Sequence, residues 1–179
     1  MRIIAGAFKG RRLKSPTWDG VRPTSDKLRE TLFNVLAPRI GGVHFLDGYA
    51  GTGAVGIEAL SRGARDVTFV EREGRAQQLI EENVTHVFPS GVPDGCVRIR
   101  ASFDRLGPFD IIFLDPPYDV RPEDAIATAA PLLTPDGLLV LEHAKRAIAP
   151  MTATGSPELM RTRQIVSGDS MLSMYEGKR

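Results

Sequence analysis

Cysteine is almost missing from this chain of 179 residues: Cys96 is the only one. No internal disulfide can form, and a cysteine metal cluster is excluded. Cys96 stands just before the alternating run Val97-Arg98-Ile99 and reads as a small strand residue rather than a nucleophile. Histidine is scarce too. His44, His86 and His143 show no ligand spacing, so each reads as structural and no metal is expected. No run of about 18 apolar residues exists, which excludes a membrane-spanning helix. The opening Met1-Arg2-Ile3-Ile4-Ala5-Gly6 has too short an apolar stretch for a signal peptide. A cytoplasmic location is the default that remains. Internal repeats and low-complexity tracts are also absent.

The length suits one domain with a real core, and the composition is that of a soluble globular protein. A formal net charge of +1 says little, but its distribution says more. Residues 1–39 hold nine Lys/Arg against three Asp/Glu, and the rest holds fourteen against nineteen. A basic head on an acidic body suggests that the head meets a polyanion. Arg2, Lys9, Arg11, Arg12 and Lys14 have no acid among them. Ile3-Ile4 and Leu13 flank Gly6 and Gly10, a pattern for a small hairpin able to carry these cations along an RNA backbone. The expected organisation is a basic β-hairpin extension over residues 1–20 and a main domain over 21–179.

Pro16 and Pro23 break regular structure. Thr24 or Ser25 can cap a helix from Asp26 that ends near Pro38. Strands and helices then alternate. Strands are expected at 43–47, 66–71, 97–100, 110–115 and 137–142, with helices at 54–62, 73–87 and 123–133. Segments 163–166 and 171–175 look like a closing hairpin. Such alternation implies a mostly parallel central sheet with helices on both faces, an α/β, Rossmann-like fold. Ligands in these sheets bind outside the carboxyl ends of the strands.

Two loops at such strand ends carry the chemistry. The first runs Asp47-Gly48-Tyr49-Ala50-Gly51-Thr52-Gly53, and Gly51 to Gly56 matches G-x-G-x-x-G. Glycine lets the backbone turn tightly and approach a ligand. Glu71 ends the second strand, where a carboxylate can accept hydrogen bonds from ribose hydroxyls. A dinucleotide would satisfy this pattern as well. Asp47 leans the other way, since its charge would face a pyrophosphate and suits ammonium and sulfonium groups better.

The second loop is Asp115-Pro116-Pro117-Tyr118. An amino group conjugated to an aromatic ring is a poor nucleophile. The Asp115 carboxylate and the Pro116 carbonyl can each accept one of its N–H groups, which fixes its direction and favours charge on nitrogen. Pro116 and Pro117 lack N–H donors and hold the carbonyl stiffly. Tyr118 offers a ring on which an unpaired or flipped base can stack.

With these motifs the chain closely resembles the RsmD family of class I S-adenosylmethionine-dependent methyltransferases. The likeness runs almost end to end. It includes Arg2-Ile3-Ile4-Ala5-Gly6, Lys9-Gly10-Arg11-Arg12-Leu13, Arg22-Pro23-Thr24-Ser25-Asp26, Arg29-Glu30-Thr31-Leu32-Phe33-Asn34 and Ile57-Glu58-Ala59-Leu60-Ser61-Arg62-Gly63. The resemblance implies methyl transfer to N2 of guanine 966 in 16S rRNA, with S-adenosylhomocysteine as the other product. It places the cofactor over Asp47, Gly48, Tyr49, Gly51 and Gly53, with Glu71 and Arg72 on the ribose side. Arg22, Pro23 and Thr24 would lie over the cofactor near the target base. Gly48 and Tyr49 depart from the family, which usually has a large apolar residue and Phe there. After the third strand many relatives carry Asp, whereas this chain has Ala101-Ser102-Phe103-Asp104, so Ser102 and Phe103 are assigned to the adenine. The expected partner is 16S rRNA, within a small-subunit particle or assembly intermediate, and the expected state a monomer. Adenine N6 of DNA or RNA stays open as a target, and a dinucleotide-dependent oxidoreductase is a more distant alternative.

Overall fold

The structure, a computed structural model, describes residues 1–18, 24–153 and 158–178. Arg22 and Pro23, assigned above to the cofactor, lie outside the described residues. The chain divides into two compact units, Met1–Ser102 and Phe103–Arg179.

The first unit begins with the expected hairpin, reduced to one antiparallel bridge between Arg2 and Arg12. The Ile3 N–H donates to Arg11 O and the Gly10 N–H to Ile3 O, each at 2.9 Å. Gly6 has φ +85° and lies so close to the end of a later helix that a Cβ would sit 1.9 Å from the Ser61 carbonyl oxygen. No other residue fits there.

Helix α1 covers Asp26–Leu36, and Ser25 rather than Thr24 caps it, its hydroxyl accepting the Leu28 N–H at 3.1 Å. Leu28, Leu32, Phe33 and Leu36 recur at helical spacing and are buried. There follow β1 (His44–Gly48), α2 (Ala54–Ser61), β2 (Asp66–Val70), α3 (Gly74–Val87) and β3 (Val97–Arg100). These strands run parallel in the order β3-β2-β1. Every residue of β2 is buried, Asp66 and Thr68 included, as in a strand covered on both faces.

The second unit holds β4 (Phe109–Leu114), α4 (Pro122–Ala129), β5 (Leu133–Ala144), β6 (Thr152–Ala153), β7 (Leu159–Ser167) and β8 (Ser170–Gly177). Strand β4 is parallel to β5. The remaining ladders, β5-β8, β8-β7 and β7-β6, are antiparallel. The closing hairpin is therefore present as β7 and β8, longer than expected, turning at Gly168 with φ +64°. Strand β6 has two residues, too few for any periodicity to show. Helix α4 stops short of the expected Leu133. Pro131 cannot donate a backbone hydrogen bond, so Ala130–Leu132 tighten into a 3-10 turn and Leu133 already starts β5. Among the described residues no helix is long and apolar enough to cross a membrane.

Candidate active site

The glycine-rich loop leaves β1 and enters α2 through two glycines in the left-handed region, Gly51 (φ 55°) and Gly53 (φ 74°). Gly53 is the N-cap of α2 and supplies no side-chain cap, and of the first-turn amides that of Gly56 is taken by Asp47 at 2.8 Å. Tyr49 adopts φ 61°, a position glycine would fill more easily. The third glycine of the motif serves packing rather than ligand approach. A Cβ on Gly56 would stand 2.3 Å from the Phe69 ring of β2, so α2 can lie this close to β2 only with glycine there.

Three polar side chains hold the loop, Asp47 and Asn83 buried and Glu71 half-buried. Asp47 is almost fully enclosed, and its carboxylate accepts the Gly56 N–H at 2.8 Å. Burial pushes its carboxyl up to about 8, opposed by the Gly56 hydrogen bond and reinforced by the nearby charge of Glu71. At neutral pH Asp47 is therefore mostly an uncharged acceptor that ties β1 to α2. Glu71 accepts the Gly51 N–H on one oxygen (2.9 Å) and the Glu73 N–H on the other (2.8 Å). Each oxygen retains a lone pair, enough to take a pair of ribose hydroxyls. Asn83 is the third, and the sequence reading missed it. It donates to Thr52 O at 3.1 Å, while its amide also exchanges hydrogen bonds with the Lys14 backbone (2.7 and 3.2 Å). One buried carboxamide thus joins the cofactor loop, α3 and the end of the hairpin. Tight glycine turns and a half-buried carboxylate together fit a nucleoside-bearing ligand such as S-adenosylmethionine.

The hairpin is mounted on α2 by a second buried cluster. Glu58 accepts the Ile4 and Ala5 amides (2.8 and 3.0 Å) and the Arg62 Nε (2.8 Å). Its carboxylate lies 3.7 Å from Arg29, and both side chains are fully buried. Ser61 accepts the Phe8 N–H and donates to Ala5 O. Glu58 and Arg29 belong to the family-like stretches quoted above. What the sequence could not show is that their charges meet inside the protein.

The five expected RNA contacts divide. Arg11 lies over the Phe8 ring and donates to Val87 O at 2.7 Å. Lys14 pairs with Glu82 at 3.0 Å and Arg2 reaches Asp26 at 3.9 Å. Lys9 and Arg12 are exposed and make no ion pair with another described residue. Of the other cofactor assignments, Thr24 is half-buried just before the Ser25 cap, Gly48 is the buried last residue of β1, and Arg72 is exposed. Ser102 is exposed at the end of the first unit, and Phe103, half-buried, opens the second. The histidines are spoken for or peripheral. His44 pairs with Asp66 at 2.7 Å, His143 meets the Ser173 hydroxyl at 2.8 Å, and His86 is exposed in the last turn of α3.

In the second unit, β4 is apolar and buried along most of its length and delivers Asp115 at its carboxyl end. Asp115 and Pro116 are half-buried, while Pro117 and Tyr118 are exposed. Tyr118 is 83% exposed, unusual for so large a ring. The Val120 N–H donates to Pro117 O at 2.9 Å, closing a tight turn after the two prolines. Neither proline has an N–H that could compete for the Pro116 carbonyl.

The family described as Conserved hypothetical protein 95 matches residues 1–176, nearly the whole chain. The chain belongs to the RsmD family. Its relatives include Ribosomal RNA small subunit methyltransferase D of Haemophilus influenzae, 38% identical over 81% of this chain and 79% of that one. YlbH of Bacillus subtilis, provisionally named an rRNA methyltransferase, is 35% identical over 98% of each chain. Among solved structures, yhhF of Escherichia coli, provisionally named a methyltransferase, superposes with a TM-score of 0.81 at 33% identity, covering 99% of this chain and 98% of that one. The α/β fold with antiparallel C-terminal strands is thus shared with structural neighbours named as methyltransferases.

Proposed function

We propose that this RsmD-family chain is a cytoplasmic enzyme that methylates 16S rRNA, transferring a methyl group from S-adenosylmethionine to the exocyclic N2 of a guanine at the guanine-966 type of site. The observation that carries the reading is the loop after β4, where Asp115 and the Pro116 carbonyl offer two acceptors beside an exposed aromatic ring.

When bound, the cofactor supplies a methyl group activated by a sulfonium centre. The protein's own part is binding and orientation. Gly51 and Gly53 let the backbone approach the ligand, and Glu71 takes ribose hydroxyls. Asp115 and Pro116 O each hold one N–H of the amine, so its lone pair has a single direction. The carboxylate also stabilises positive charge as it builds on nitrogen. Tyr118 stacks on a base that has left its helix. Lys9 and Arg12 on the hairpin contact phosphates, which position the strand without selecting the base. The named relatives support rRNA as the substrate class, and a small-subunit particle or assembly intermediate is its proposed form. S-adenosylhomocysteine is the second product, no metal is needed, and the chain works as a monomer.

The test supplies labelled S-adenosylmethionine with small-subunit particles, free 16S rRNA or duplex DNA, and identifies the product nucleoside by mass spectrometry. N2-methylguanine in rRNA is expected. Label in adenine would overturn the guanine assignment while keeping the role of Asp115. Label in no substrate, together with binding of a nicotinamide dinucleotide, would overturn the whole reading.

A further inference from the structure

Between the hairpin and α1 lies a cavity of about 280 Å³ whose wall includes Ile3, Ile4 and Gly10 and whose charged lining is Arg2, Lys9, Asp26, Lys27 and Glu30. Neither Lys27 nor Glu30 has any part in the cofactor or amine sites. Asp26 and Glu30 stand four residues apart on α1 and so share one side of the helix. Beneath them sits Arg29, fully buried. Its Nη2 donates to the Asp26 carboxylate at 2.6 Å and to the Arg2 carbonyl at 2.8 Å. Its Nε and Nη1 are enclosed without a hydrogen-bond acceptor. Asp26 is therefore committed to Arg29, whose charge is met on its other side by Glu58 at 3.7 Å, so the exposed side chains set the character of the cavity. Lys9, Lys27 and Glu30 are exposed and make no ion pair with another described residue.

The cavity thus offers two kinds of recognition side by side. A bare anion would satisfy the lysines and face the Glu30 carboxylate, and a bare cation would do the reverse. A nucleotide meets both demands, with a phosphate for the lysines and N–H donors on a base edge for the carboxylate. Guanine presents N1–H and N2–H next to each other, matching the two oxygens of one carboxylate. Uracil has a single N–H flanked by carbonyls, which a carboxylate repels.

We propose that this cavity is a nucleotide subsite that takes one nucleotide of the RNA strand, its phosphate toward Lys9 and Lys27 and its base edge, guanine best, on Glu30. The proposal rests on the RNA-binding reading of the hairpin and adds base selectivity at a second position, away from the nucleotide that is methylated.

Titrating the full chain with GMP, UMP or inorganic phosphate while following backbone amide resonances would test it. GMP should shift the amides of Gly10, Lys27 and Glu30, and bind about fivefold or more tightly than UMP, the worth of one good paired contact to a base edge. Glu30→Gln should erase that preference while still binding both nucleotides, and Lys27→Ala should weaken both nucleotides equally. Both side chains are exposed, so neither variant threatens the fold. Shifts produced equally by phosphate and GMP, or no shift at these amides, would overturn the subsite. Methylation of rRNA, measured in parallel, separates the two readings. Activity in wild type without GMP shifts sinks the subsite alone, whereas no methylation of any RNA sinks the function on which it rests.

Discussion

The glycine loop after β1 and the proline loop after β4 solve the same problem by opposite means. Each must hold polar groups in one geometry at the end of a buried strand. In the first, the backbone is freed by glycine and then fixed from below by Asp47, Glu71 and Asn83, all hydrogen-bonded to loop or adjoining backbone. In the second, the backbone is fixed from within by Pro116 and Pro117, and Tyr118 stands open to solvent. A loop that must wrap a ligand needs conformations that only glycine reaches easily, and buried partners must then remove the freedom glycine brings. A loop that presents one carbonyl and one carboxylate needs no such freedom, so stiffness can be written into the chain itself. Substitutions in the first loop should therefore cost stability, and those in the second should cost activity.

The largest break expected is Asp115→Ala, which removes one of two acceptors for the amine. Methyl transfer should fall roughly a hundredfold to a thousandfold, while calorimetry finds cofactor affinity unchanged. Activity within a few-fold of wild type would end the comparison. Gly56→Ala should do the reverse, because its Cβ meets the Phe69 ring. A loss of about 1–3 kcal/mol is expected in urea unfolding, and an unchanged midpoint would show that α2 can shift away from β2 without cost. Tyr118→Ala should leave the melting temperature untouched, since the ring is exposed. It should weaken use of the RNA by the worth of one stacked base, about 1–3 kcal/mol. A lowered melting temperature would mean that the ring belongs to the core.

A pH dependence sharpens the first half of the comparison. Asp47 is raised from 3.8 to about 8 by burial, so the native state holds its proton over a range where the unfolded chain has lost it. Its contribution to stability must therefore fall as pH rises from about 4 to about 8. Asp47→Asn keeps an oxygen to accept the Gly56 N–H but cannot ionise. Urea midpoints compared at several pH values should show the wild type losing ground to the variant with rising pH. Parallel curves would show that Asp47 ionises without penalty.

Much of this could be read along the chain. The parallel strands, α1 to α3 and both loops follow from period, glycine and proline. Each of those signals is local. The misses have local causes as well. Pro131 cut α4 short, and a two-residue β6 leaves no pattern. Asp47 was legible as a strand-end carboxylate but not as an uncharged one, because charge state depends on what encloses it.

By itself the sequence determined where the chain turns, which residues can reach left-handed conformations, and which short motifs bring amine and cofactor chemistry. These are properties of single residues and their neighbours. Tertiary structure alone decided that Arg29 meets Glu58, that Asn83 joins Thr52 to Lys14 across 31 and 69 positions, and that Arg11 and Lys14 serve the protein before any RNA. A buried charge or amide is tolerable only where its partners converge, and convergence over such separations is set by how helices pack on strands, which no segment of the chain encodes on its own.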